Sequence, residues 1–124
     1  MTVKYTAGRN IAIKTPDHEY AETVRFYREI LGFEDAIEYQ PDATSAAVHF
    51  GDKVLWIDSV PTLSQAEIWL EIKTDNTQQA RQSLQQQGIV TRDAIEPLPD
   101  NFDGFWVSSP NSIIHLINAR PDTE

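Results

Sequence analysis

Ile13-Lys14-Thr15-Pro16-Asp17 returns as Ile72-Lys73-Thr74-Asp75-Asn76, and the spacing between the two decides the fold. The offset, from 13 to 72, is 59 residues. It also carries Val54-Leu55-Trp56-Ile57 onto Ile113-Ile114-His115-Leu116, and the turn Gly51-Asp52 onto Pro110-Asn111. In each copy a strand runs into cap-forming residues, a helix follows, and a glycine (Gly32, Gly88) ends it. One such unit cannot bury its apolar face alone, so a duplicated unit pairs with its copy. The expectation is an α+β fold of tandem βαβββ modules forming a curved mixed sheet cup. Module one covers about 8–60 and module two about 66–119 of a single domain. A groove between two such sheets is a natural ligand site.

Outward from the repeat, Thr15 reads as an N-cap and Pro16 as the first helical residue. Tyr20, Val24, Tyr27, Ile30 and Leu31 recur at helical spacing. Phe33 to Tyr39 reads as a strand, and Ser45–Phe50 with Lys53–Asp58 as a hairpin over Gly51-Asp52. Pro61 to Gln65 links the halves. The second copy opens with Glu67 to Lys73, then a Gln-rich helix to Gln87 whose strongly apolar residues are Ala80 and Leu84. Strands follow at 89–95, 105–108 and 112–119, with Glu96 to Gly104 irregular; residues 120–124 read as a frayed tail.

Composition narrows function. A net charge of −9 repels phosphate backbones, so no nucleic acid is expected as a partner. Without cysteine there are no disulfides, thiolate nucleophiles or Cys metal sites. Hydrophobic content of 40% suits a soluble chain. No apolar run reaches the roughly 20 residues of a membrane span, and the N-terminus has no apolar signal region, so no membrane partner and a cytoplasmic location are expected. No Gly-rich phosphate loop and no nucleophilic Ser motif is visible.

Phe26-Tyr27-Arg28-Glu29-Ile30-Leu31-Gly32-Phe33 resembles the FYxxxLGF segment of the vicinal oxygen chelate superfamily. That superfamily includes glyoxalase I, extradiol dioxygenases, fosfomycin-resistance enzymes and bleomycin-resistance proteins. Asn10 to Asp17 is similar as well, and Ser109 to Leu116 resembles the closing DPxG…E hairpin. In metal-dependent members the first and last strands of each module supply His or Glu ligands. The resemblance places those positions at Asn10, Trp56, Trp69 and His115, the last with a turn shortened by one residue; otherwise it is Leu116. Two tryptophans, an asparagine and one histidine do not make a divalent-metal ligand set. The metal-free bleomycin-resistance branch, which sequesters its drug, is the nearer analogue, and the resemblance implies a homodimer.

Strand alternation puts Asn10, Ala12 and Lys14 on one face, as it does Trp56 with Asp58, Trp69 with Glu71 and Lys73, and His115 with Ile113 and Ile117. Ile11, Ile13, Leu55, Ile57, Leu70, Ile72, Ile114 and Leu116 then belong under the helices. The candidate ligand-binding residues are Trp56, Trp69, Glu71, His115, Asn10, Asp58 and Trp106. The tryptophans are either walls of a ligand pocket or ordinary core. Glu71 pairs with Lys73 or meets a ligand, and His115 is a ligand contact, a general base or a satisfied core histidine. Lys14 and Lys73, near strand ends, read as solvated, and His18 and His49 as surface or capping residues. Phe102 sits on a loop long enough to cover a cavity.

The expected function is metal-independent binding of a small organic molecule, aromatic or cationic, with no cofactor. The alternative is a lyase, isomerase or dioxygenase-like enzyme using His115 or Glu71 as catalytic group, with or without a divalent metal.

Overall fold

The computed structural model describes residues 2–119, so the expected frayed tail lies outside the described residues. The fold is α+β, with mixed parallel and antiparallel strand pairing. Its contacts divide the chain into two compact units: Arg9–Trp69, and residues 2–8 together with 70–119.

In the unit Arg9–Trp69, β1 (Tyr5–Thr15) enters at Arg9, followed by α1 (Asp17–Arg25), β2 (Ser45–Phe50) and β3 (Lys53–Ser59). β3 is the middle strand, antiparallel to β2 and parallel to β1, with Ile13 opposite Ile57. Leu55 and Ile57 alternate with Trp56 and Asp58, so one face of β3 is apolar. That face packs Ile57 and Ala46 against Val24 of α1, with Tyr20, Tyr27 and Tyr39 around them. The helix starts one residue later than its sequence suggests: Pro16 is the cap, and Asp17 accepts a hydrogen bond from the Ser59 hydroxyl.

Two elements of this unit depart from expectation. After Arg25 the helix widens into a π turn, Phe26–Ile30, in which Leu31 N–H reaches back five residues to the Phe26 carbonyl (2.9 Å). The extra residue rotates Ile30 and Leu31 off the buried stripe, and Ile30 is 56% exposed. Gly32, at φ +75°, then reverses the chain so that Phe33 N–H bonds the Tyr27 carbonyl at 3.0 Å. The strand expected over 33–39 is reduced to one bridge, Asp35 to Val48. Phe33, Ala36 and Tyr39 are its less exposed positions, a spacing of three that an extended ribbon of period two does not match.

In the other unit, β4 (Glu67–Thr74) contributes from Leu70, followed by α2 (Thr77–Gln86), β5 (Val90–Thr91), β6 (Gly104–Ser108) and β7 (Ile114–Ala119). β7 lies between β4, parallel, and β6, antiparallel; β5 pairs with β6. The Asn76 side chain caps α2 by accepting from Gln79 N–H at 3.0 Å. Ala80 packs on Phe105, Val107 and Ile117, with Val3, Ile72, Leu84 and Ile89 alongside. The strand expected over 89–95 shrinks to two residues, because Ile95 N–H turns back to the Arg92 carbonyl. Asp93 is drawn to Arg81 of α2 in a two-point ion pair (2.8 and 3.2 Å). Residues 2–8, outside the expected second module, are fastened to it. Lys4 N–H donates to Asp75 Oδ1 (3.1 Å), and the Lys4 carbonyl accepts from Thr74 Oγ1 (3.0 Å).

Candidate functional site

In the unit Arg9–Trp69 the face opposite α1 is polar and aromatic. Trp56, on the middle strand, lies between two alanines, Ala12 on β1 and Ala47 on β2. Its indole N–H donates to Asn10 Oδ1 at 2.8 Å, which fixes the ring's direction. Two residues on, Asp58 accepts from Lys14 Nζ at 2.8 Å and from Ser45 Oγ at 2.5 Å. Lys14 is 5% exposed and Trp69 8%. The Lys14 ammonium stands 4.4 Å from the centroid of the Trp69 ring, whose N–H donates to Glu67 Oε1 at 2.9 Å. A buried ammonium is costly unless paired, and here a carboxylate and an indole face both meet it. Lys14 is therefore a built part of this face and not the solvated strand end its position suggests.

In the second unit Glu71 is the buried carboxylate, 9% exposed. Asn118 Nδ2 donates to its Oε2 at 3.0 Å, and Lys73 Nζ lies 3.7 Å from the same oxygen. Lys73 too is largely covered. Gly8 makes room: a Cβ there would stand 2.3 Å from Glu71 Oε1. Trp106 is buried, and its N–H donates to the Glu96 carbonyl at 3.0 Å.

His115 is the main correction. Its register partner Val107 and its neighbour Ile117 both belong to the cluster under α2, so His115 faces that helix, away from Glu71. Leu116 is the residue opposite Glu71, as Trp56 is opposite Ala12. The repeat offset is thus 59 in the first strand of each unit (12 to 71) and 60 in the last (56 to 116). The same slip of one makes Asn118 the counterpart of Asp58, as Lys73 is of Lys14. Where the first unit has a lysine–aspartate pair, the second has lost one charge, and Asn118 turns to Glu71. Reading the register at 60 finds Asn118; reading it at 59 misses it. Ile114 and Leu116, expected under the helices, take the other face with Asn118. His18 and His49 are exposed, His18 beside Glu19 at 3.5 Å.

The ligand positions of metal-dependent vicinal oxygen chelate proteins do not fit a divalent ion here. The two indole nitrogens carry hydrogens and donate, Asn10 Oδ1 is engaged by one of them, and His115 points to the α2 side. Among the described residues, no group of three or more His, Asp or Glu side chains is placed to hold a metal.

No protein-family model matches the chain, and no curated protein does. Solved structures do. The Mn(II)-bound glyoxalase from Novosphingobium aromaticivorans superposes with a TM-score of 0.69 at 18% identity, over 95% of this chain and 40% of that one. Homoprotocatechuate 2,3-dioxygenase from Arthrobacter globiformis gives 0.64 at 16% identity, over 93% of this chain and 36% of the other. A glyoxalase/bleomycin resistance protein/dioxygenase superfamily member from Vibrio splendidus 12B01 gives 0.56 at 12% identity, over 96% of this chain and 100% of its own. The chain spans well under half the length of the first two. Its fold is the vicinal oxygen chelate fold.

Proposed function

We propose that this chain binds a small, flat aromatic molecule without the help of a metal, the ligand stacking on Trp56. The observation that carries the proposal is the setting of that residue. It lies on the middle strand of its sheet, only half-buried, with an alanine on either side and its N–H held by Asn10. Small neighbours leave the sides of the indole uncrowded, and the hydrogen bond holds the ring still. Such a platform loses little entropy when a second ring stacks on it. Trp69 is engaged differently, because Lys14 already stands over it. The likeness to the Vibrio protein runs over 96% of this chain and 100% of that one, whereas the Mn(II) of the glyoxalase neighbour has no matching donor set among the described residues.

The test is a fluorescence titration with neutral and cationic polycyclic aromatic compounds, with and without Mn²⁺. Saturable tryptophan quenching is expected for at least one compound, unchanged by the metal. Trp56→Leu should weaken it about tenfold, since aromatic pairing adds ~0.5–1.5 kcal/mol to the area buried. Its melting temperature should stay close to the parent's. Absence of saturable quenching across the panel, or an affinity indifferent to Trp56→Leu, would sink the proposal.

A further inference from the structure

We infer a separate ligand site on the α2 side of the second unit, one that takes a neutral single-ring molecule carrying one hydroxyl, a phenol. A pocket of about 290 Å³ opens there, walled by Tyr5, Ile72, Leu84, Val107, His115 and Ile117. It exists because α2 is poor in filling: Ala80 is its buried residue, Leu84 reaches down one turn later, and most of the rest is glutamine. The volume is about twice that of a 150 Å³ apolar cavity able to hold benzene.

The polar chemistry of the pocket selects the ligand. His115 Nδ1 lies 3.0 Å from the Ile113 carbonyl. A carbonyl only accepts, so Nδ1 carries the hydrogen, and in the neutral ring Nε2 is left as an acceptor. Of the two serines at the rim, Ser109 is engaged both as donor and as acceptor, and Ser108 is held by Arg92. Ser108 Oγ accepts from Arg92 at 2.9 Å. Ser109 Oγ accepts from Ile113 N–H at 3.0 Å and donates to Asn111 Oδ1 at 2.5 Å. An apolar ring with one O–H fits this arrangement, the hydroxyl donating to Nε2. A hydrocarbon leaves the imidazole acceptor unmatched.

The experiment is NMR of the whole chain titrated with phenol and toluene at mildly alkaline pH. Phenol should shift the His115 ring and the Val107 and Ile117 methyls saturably. Toluene should reach the same methyls about 3- to 10-fold more weakly, the worth of one hydrogen bond. His115→Phe should erase the preference for phenol while keeping toluene, and Leu84→Trp should exclude both. Equal affinity for phenol and toluene in the unaltered chain overturns the inference, as do methyls that do not move. These comparisons need no variant, so a His115→Phe chain that fails to fold leaves them decisive.

Discussion

Single atoms decide much of the second unit. Gly8 lacks the Cβ that would collide with the Oε1, Cγ and Cδ of Glu71, at 2.3, 2.4 and 2.7 Å. Gly8→Ala must push the whole carboxylate arm aside and break its bond from Asn118, so it should cost about 1–3 kcal/mol in urea denaturation, the range for overpacking. In a Glu71→Ala background the same change should cost little. A double-mutant cycle measures that coupling, and additive costs would mean that the two residues do not compete for the same space. Trp56 shows the converse: Ala12 and Ala47 beside it are informative for the side chains they lack.

At the scale of elements, the π turn sets where the chain goes after α1. It ends in Gly32, and the segment beyond is held back to the turn by Arg28, whose Nε and an Nη meet the two Asp35 oxygens at 2.6 and 3.0 Å. Arg28 also lies over the Tyr39 ring, 3.7 Å from its centroid. The hydrogen bonds from Arg28 hold the Asp35 carboxyl below its usual value of 3.8, chiefly through that pairing. A depressed folded pKa means that the pair's contribution is present above the unfolded value. It is lost as pH falls through the lower, folded one. Asp35→Asn should therefore be less stable than the parent at neutral pH, with the gap closing below about pH 4. A gap that stays constant in acid would show that the pair contributes nothing. Asp35 is about a third exposed, so the gap is modest.

For the whole molecule, the division of the chain is the lesson. Residues 2–8 precede the first copy of the repeat, yet they pack with the second. Val3 touches the cluster under α2, and Lys4 is bonded to Thr74 and Asp75. Val3→Asp should cost about 1–3 kcal/mol, the value of a buried aliphatic side chain. Hydrogen exchange should locate the loss in α2, β6 and β7, leaving β2 and β3 protected. Equal loss in all of them would contradict the assignment. No helix among the described residues is long and apolar enough to cross a membrane.

The sequence by itself determined the duplication, the α+β class, both helices and the apolar phase of β3. Those features follow from local periodicity and from residues, such as Asn76 and Gly32, whose preferences act within a few positions. Tertiary structure alone decided the rest. Register across strands settled the slip from 59 to 60 that turns His115 to α2 and brings Asn118 to Glu71, because alternation within β7 fits either phase. Burial turned Lys14 from a strand-end charge into a paired one, since nothing local shows that Asp58 and Trp69 will close around it. The irregular stretch 33–39 keeps a single bridge, at Asp35, and that residue is also tied to Arg28 seven residues back, a contact that no period in the sequence encodes.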